Sequence, residues 1–413
     1  MNQQLFHTLK QDIKERLDLS STVSDAKLVE LIEHAIFSLG DEQGWTSSEM
    51  QLGVKRIFDS FRGLDVLQPL IDDPSVTEIM VNGHENIFFE RNGAVERYPY
   101  ALESTEKLED LIQMIVSKVN RIVNQSTPIV DARLHDGSRV NIVLPPASLS
   151  GPALTIRKFP EKPLLMDDLV NMGSLSREAA DVLQVFVESG CNIFIGGGTG
   201  SGKTTFLNAL SAWIPSHERI ITIEDSAELQ IQNVPNLVRM ETRNANTEGK
   251  GEISIRDLIR SSLRMRPNRI IVGEVRGAEA LDMLAAMNTG HDGSLSSGHS
   301  NTSVDMLSRL ETMVLSSAPL PVEVIRKQIA SALDIIVHIS RIRDRSRRVT
   351  EIHEVLDVKE GEVQLLPLFL FEERGETVDR KVIGELTYTG NRLNNLHKIQ
   401  MAGKKLPDWF AYE

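Results

Sequence analysis

The octapeptide Gly197-Gly198-Thr199-Gly200-Ser201-Gly202-Lys203-Thr204 constrains this chain more than any other feature. It matches G-x-x-x-x-G-K-[ST] at every fixed position. The apolar run Asn192-Ile193-Phe194-Ile195 precedes it and reads as a buried strand. Thr205-Phe206-Leu207-Asn208-Ala209-Leu210 follows and reads as the opening of a helix. Strand, glycine-rich turn and helix form the setting a phosphate-binding loop requires. The glycines let the backbone curl so that its N–H groups converge on an anion. The helix N-terminus adds a favourable partial charge. Lys203 would reach the β- and γ-phosphates of a nucleoside triphosphate, and the Thr204 hydroxyl would sit on Mg2+. Gly197, Gly198, Thr199, Gly200, Ser201, Gly202, Lys203, Thr204 and Thr205 are therefore the candidate nucleotide ligands, with ATP and Mg2+ as the expected cofactors.

The 413 residues suggest two or three domains. A hydrophobic content of 41% and a charged content of 25% suit a soluble globular protein with a core of normal size. The net charge of −13 argues against a surface that coats nucleic acid, although a local basic channel is compatible with it. A lone cysteine, Cys191, excludes an intrachain disulfide framework and a cysteine-cluster metal site; it reads as a buried structural thiol. Met1-Asn2-Gln3-Gln4-Leu5 is polar and lacks the basic and apolar regions of a secretory signal. No run of about 18 apolar residues exists to span a membrane. The expectation is a cytoplasmic chain that meets a membrane only through a partner.

Residues 1–63 read as a helical bundle. Leu5, Leu9, Ile13 and Leu17 form one stripe. A second helix starts at Ser24 or Asp25 and stops near Gly40. A third opens with a capping box, Thr46 with Glu49, and stops near Gly63. Residues 64–158 read as a small α+β domain. Its strands cover 79–83 and 87–93, ended by Asn-Gly turns, then 140–144 and 154–158, with a helix from Leu108 to Val123. Residues 159–172 read as a linker stiffened by Pro160 and Pro163. Residues 173–413 alternate strand and helix, as a mostly parallel α/β sheet requires. Its strands are expected at 192–196, 219–224, 269–274, 293–297 and 334–339.

Carboxylates gather at the C-terminal tips of these strands, where open α/β sheets bind ligands. Arg219-Ile220-Ile221-Thr222-Ile223 ends in Glu224-Asp225, with Glu228 close behind. Glu224 and Asp225 can order water around Mg2+, and Glu228 can help activate the attacking water. The structural alternative is a helix cap by Asp225. Arg269-Ile270-Ile271-Val272-Gly273-Glu274 occupies a Walker-B position but has Gly273 where an aspartate commonly holds Mg2+ through water. Glu274 is the first candidate to polarise the attacking water. Arg276 is either part of the site or an interface ion pair. His291 and His299 flank a small polar strand. No third ligand stands at a metal-site spacing, and His299, at the end of a strand, can sense the γ-phosphate.

These four segments, in this order, resemble the secretion ATPases of type II and type IV systems, where they form the Walker A, Asp box, Walker B and His box. The segments 134–146, 154–159, 246–252, 264–269 and 346–352 resemble the CpaF-like branch, the motors of Tad/Flp pili. The tetracysteine zinc insertion typical of type II members is missing, which favours that branch. The resemblance implies a C-terminal RecA-like P-loop ATPase domain, a PAS-like N-terminal domain, and ATP between them. It implies a homo-hexamer working on an inner-membrane platform protein, with no nucleic acid partner. By motif position, Arg133, Arg139 and Arg157 are carried over as phosphate-reaching arginines, with Arg133 among the nucleotide ligands and the other two catalytic. A guanidinium on the transferring phosphoryl group can be worth about 10³–10⁵ in rate. An exposed ion pair, their structural alternative, is worth about 0–1 kcal/mol. Two other functions stay open at this point. One is a nucleotide-gated scaffold with little turnover. The other is a nucleic-acid translocase, suggested by Arg256, Arg260, Arg264, Arg266 and Arg269 but lacking interleaved aromatics.

Overall fold

The computed structural model describes residues 3–17, 23–91, 93–118, 122–134, 136–159, 162–243, 245 and 250–411. Val119, Asn92, His135, Pro160 and 246–249, which figure in the segments above, lie outside them. The chain divides into two compact units, Met1–Glu161 and Lys162–Glu413.

The first unit opens with helices Gln3–Arg16, Asp25–Gln43 and Ser47–Arg62. Ser24 caps the second, and Thr46 with Glu49 forms the expected capping box on the third. The second helix runs past Gly40. Its end is set by Gly44, which adopts the left-handed conformation at φ 67°, while Gly40 gives Met50 room: a Cβ there would lie 2.8 Å from Met50 Cε.

Six antiparallel strands follow: β1 (Val76–Asn82), β2 (Asn86–Arg91), β3 (Ala94–Arg97), β4 (Ile129–Arg133), β5 (Arg139–Val143) and β6 (Ala153–Arg157). They lie in the order β3-β2-β1-β6-β5-β4. β3 and β4 are short edge strands with weak alternation, and periodicity missed both. Helix Thr105–Ser117 packs Leu108, Leu111, Ile112 and Ile115 into one core with Ile79, Val81, Ile142 and Ile156. Strand side chains alternate between faces, so the residues between these apolar positions occupy the opposite face.

The second unit is built on a nine-stranded sheet. Its strands are β7 (Ile193–Gly197), β8 (Ile220–Glu224), β9 (Leu237–Glu241), β10 (Arg269–Val272), β11 (Leu295–Gly298), β12 (Ile335–Arg341), β13 (Arg347–Lys359), β14 (Glu362–Glu376) and β15 (Val382–Tyr388). Their order is β15-β14-β13-β12-β7-β11-β10-β8-β9. Every residue of β7, β8, β10 and β11 is buried. One core holds Ile193, Ile195 and Val337, and a second holds Phe194, Ile223 and Ile336, as alternation across a sheet covered on both faces demands.

The mostly parallel expectation holds from β12 to β9 and fails beyond it. β13, β14 and β15 pair antiparallel. The two residues joining β13 to β14, Glu360 and Gly361, have φ of 54° and 82°. That double left-handed turn matches strand twist and closes a tight hairpin. Within the span read as a linker, Met166–Asn171 is helical, and Met166 and Leu169 are buried in the second unit's core. No helix among the described residues is long and apolar enough to cross a membrane.

Arg269 opens β10 with 2% of its surface exposed. Its guanidinium grips both oxygens of Glu218 and donates to the Val187 carbonyl. Gly293, at φ 81°, makes room: a Cβ there would meet Arg269 Nη1 at 2.6 Å. Removing one partner of a buried pair leaves an uncompensated charge. Arg269→Ala should therefore destabilise the second unit by about 3–5 kcal/mol, read as a fall in the denaturation midpoint in urea.

Candidate active site

The glycine-rich loop leaves β7 and enters helix Lys203–Ser211. Gly200 and Gly202 take φ of 69° and 99°, conformations costly for other residues. Gly197 is excluded from substitution by contact: its Cβ would lie 2.4 Å from the Ile339 carbonyl oxygen. No side chain caps the helix at Gly202, so its first N–H groups face the loop's concave side. Lys203 donates to the carbonyls of Gly197 and Gly198, both at 3.1 Å, and approaches His299 Nδ1 at 3.3 Å. The buried Ser201 hydroxyl has no hydrogen-bond partner among the described residues. Left-handed glycines, uncapped donors, a convergent lysine and an orphaned hydroxyl fit a phosphate chain. Gly198, Thr199, Thr204 and Thr205 complete the cradle in sequence.

β8, β10 and β11 end beside this loop. Glu224, the last residue of β8, is 3% exposed. Its Oε2 accepts from the N–H groups of Glu228 and Leu229 at 2.7 and 2.9 Å. Burial pushes its pKa up to about 7, against the lowering effect of those N–H groups. Oε1 is buried without a hydrogen-bond partner among the described residues, an acceptor that water around a cation would satisfy. Glu224 also accounts for Gly273. A Cβ on Gly273 would stand 3.0 Å from Glu224 Cγ, so the Glu224 side chain crowds the position a Walker-B aspartate would take.

Glu274 follows and faces a guanidinium and an imidazole. Arg276 donates from Nε and Nη2 to Glu274 Oε2 at 3.0 and 2.6 Å, and its Nη1 reaches Asp225 Oδ2 at 3.3 Å. His299 Nε2 lies 2.7 Å from Glu274 Oε1, close enough to pair but outside the alignment of a formed hydrogen bond. An ammonium can only donate, so Nδ1 of His299 accepts from Lys203 and the ring proton sits on Nε2, toward Glu274. Burial first, and the Lys203 charge second, hold the imidazole below its usual pKa despite Glu274. Arg276, Glu274, His299 and Lys203 thus form one chain of contacts from the β10 tip to the loop. Beside it opens a cleft of about 590 Å³, lined by Gly198, Thr199, His299, Ser300, Asp305 and Arg309.

The predicted residues of the second unit therefore converge. Glu228 acts there through its backbone N–H on Glu224, and Asp225 through Arg276. His291 is held elsewhere, its Nδ1 3.1 Å from the Pro267 carbonyl. The bridging role of Arg276 was only half legible, and Arg309 was missed because nothing in its helix marks it. Arg133, Arg139 and Arg157 belong to the first unit, where register aligns them. Arg133 pairs with Arg139, and Arg139 with Arg157. Directly paired residues share a face, so three guanidiniums stand abreast. Glu78 pairs with Arg157 on the other side, and Arg157 pulls down a carboxyl pKa that burial raises.

A sequence profile described as Type II/IV secretion system protein matches residues 61–377, more than half of the chain. The chain belongs to the type II/IV secretion system protein family. It is 35% identical over 303 residues to conjugal transfer protein TrbB of Rhizobium radiobacter, covering 72% of this chain and 89% of the relative. It is 34% identical over 316 residues to type IV secretion system protein VirB11 of Brucella suis, covering 70% and 88%. Among solved structures, the pilus retraction motor PilT with bound ADP aligns at a TM-score of 0.51 and 19% identity, covering 83% of this chain and 90% of that one. At that identity the likeness is one of fold alone, that of a RecA-like domain.

Glu224 yields a pH signature. In an unfolded chain a glutamate titrates near 4.3; folded, Glu224 keeps its proton up to about 7. The folded state binds the extra proton in that window, so this group's contribution to stability falls as pH rises through it. Glu224→Gln cannot titrate and keeps an oxygen for the two N–H donors. Its stability advantage over wild type should grow between about pH 4.5 and 7 and level off at roughly 3 kcal/mol. His299 titrates in both proteins and cancels. Denaturation curves across pH 4–8 check this.

Proposed function

We propose that this secretion-family chain is an ATP-hydrolysing motor. The observation that carries the reading is the chain of contacts from Arg276 through Glu274 and His299 to Lys203. It couples the β10 carboxylate to the lysine that would hold the β- and γ-phosphates. Glu274 polarises the attacking water, and Glu228 supports it by fixing Glu224. His299, neutral and with its proton facing Glu274, registers whether Lys203 has been drawn to phosphate. Thr204 would hold Mg2+, with Glu224 and Asp225 ordering the water around it; the ion would supply charge neutralisation on the phosphates. Arg133, Arg139 and Arg157 supply positive charge to the transferred phosphoryl group. Register sets the three on one face, a concentration of positive charge that attracts an anion.

As functional domains we propose residues 1–63, 64–158 and 173–413, joined by 159–172. The working form is a cytoplasmic homo-hexamer that meets the inner membrane through a platform protein. The motifs favour a Tad/Flp pilus as the machine it drives. The names of the relatives favour a conjugal or type IV secretion system, which shares the same motor logic.

Steady-state ATP turnover of wild type beside Glu274→Gln, at several protein concentrations, tests the motor reading. Turnover should rise with protein concentration and fall about 10²–10⁴-fold in the variant. Retained ATP binding with negligible wild-type turnover would replace the motor with a nucleotide-gated scaffold. Arg139→Ala should lower turnover by about 10³-fold or more while leaving the melting temperature near that of wild type.

A further inference from the structure

β12 lies against the strand that feeds the glycine-rich loop, with Gly197 opposite Ile339. β12 runs on to Arg341, turns, and returns as β13 with Arg347 opposite Arg341. That register carries the hairpin over the loop. Arg347 Nε–H donates to the Gly200 carbonyl at 2.9 Å, and a Cβ on Gly202 would lie 3.2 Å from Arg347 Cδ. Gly200 and Gly202 are two of the glycines on which the cradle depends.

A loop that turns its N–H groups inward turns carbonyls outward, and those need donors. Lys203 supplies Gly197 and Gly198; Arg347 supplies Gly200. This uses one of five guanidinium donors. Two other arginines of the hairpin are committed: Arg343 to Glu373 and Glu376, Arg348 to Ser346 and the Gly173 carbonyl. The η nitrogens of Arg347 make no hydrogen bond among the described residues, and the side chain is exposed at the loop.

Position along the sheet says which part of a nucleotide they would meet. The strand order is β12-β7-β11-β10. His299 follows β11 and Glu274 follows β10, so both approach the loop from one side of β7. Arg347 approaches from the other. On the reading above, the γ-phosphate lies toward His299 and Glu274, which leaves the α-phosphate and nucleoside toward β12.

We propose that Arg347 is a nucleotide-binding residue: Nε–H fixes the Gly200 carbonyl, and the η N–H groups take the α-phosphate of ADP or ATP. The proposal rests on the octapeptide being an ATP site. A guanidinium serves because its donors are spread over a rigid plane and reach two separated acceptors, whereas the three donors of a lysine all leave one nitrogen and span a shorter distance.

The test compares ADP and inorganic pyrophosphate, which lacks a nucleoside-linked phosphate, by calorimetry on the full chain. In Arg347→Ala, ADP should bind on the order of 10- to 100-fold more weakly, with pyrophosphate within about 2-fold of wild type. In Arg347→Lys, which keeps the charge, ADP should still weaken several-fold while pyrophosphate does not; this variant decides the matter if the alanine protein fails to fold. Parallel loss of both ligands would reduce Arg347 to a brace of the loop, and unchanged ADP binding would remove it from the site; either overturns the proposal. A wild-type protein that binds neither ligand would overturn the ATP-site reading itself.

Discussion

The site in the second unit depends on a carboxyl group buried where water hardly reaches. Glu224 fills the space beside Gly273 at the tips of β8 and β10. Two backbone N–H groups fix its orientation, and burial keeps its proton to about pH 7. Because it crowds that position, a second carboxylate at 273 would have to push the Glu224 side chain aside. The next one along, Glu274, takes over at the mouth of the site. There it is gripped by Arg276 and approached by His299. The arrangement separates a buried acid that keeps its proton to about pH 7 from a half-buried one paired with an arginine, a division of environment that lets two like residues do different work.

The same logic governs the backbone. Gly197 is needed because β12 runs so close behind the loop, and Gly293 because a buried arginine lies beneath it. Neither glycine is explained by its own neighbours in sequence. Both are consequences of strands that are adjacent in the sheet and distant in the chain.

That distance also sets what could be read in advance. β7, β8 and β10 are continuous apolar runs followed by glycine or carboxylate, so their position and purpose were visible in the letters. The capping box at Thr46 and Glu49 was equally local. β4, β9 and the antiparallel strands β13 to β15 were not foreseen, because their burial is partial and their alternation is interrupted, as at the bulges between β13 and β14. Gly40 misled for a related reason: a glycine that ends a helix and one that admits a methionine look alike in sequence. Lys203, Glu274 and His299 were found singly by motif. Their contact with one another, and Arg347 over the loop, depend on sheet order and register, which no local pattern encodes.

The lysine at the head of the loop is not idle. Lys203 gives hydrogen bonds to two carbonyls of the loop that precedes it and to an imidazole whose own proton faces a carboxylate. A visiting anion must therefore offer the ammonium more than the protein already does. Were a chain of phosphates to take the ammonium, the carbonyls of Gly197 and Gly198 would lose a donor at the moment His299 lost a partner. Occupancy would thereby become a change of hydrogen-bonding demand on both sides of the loop, set by a single side chain.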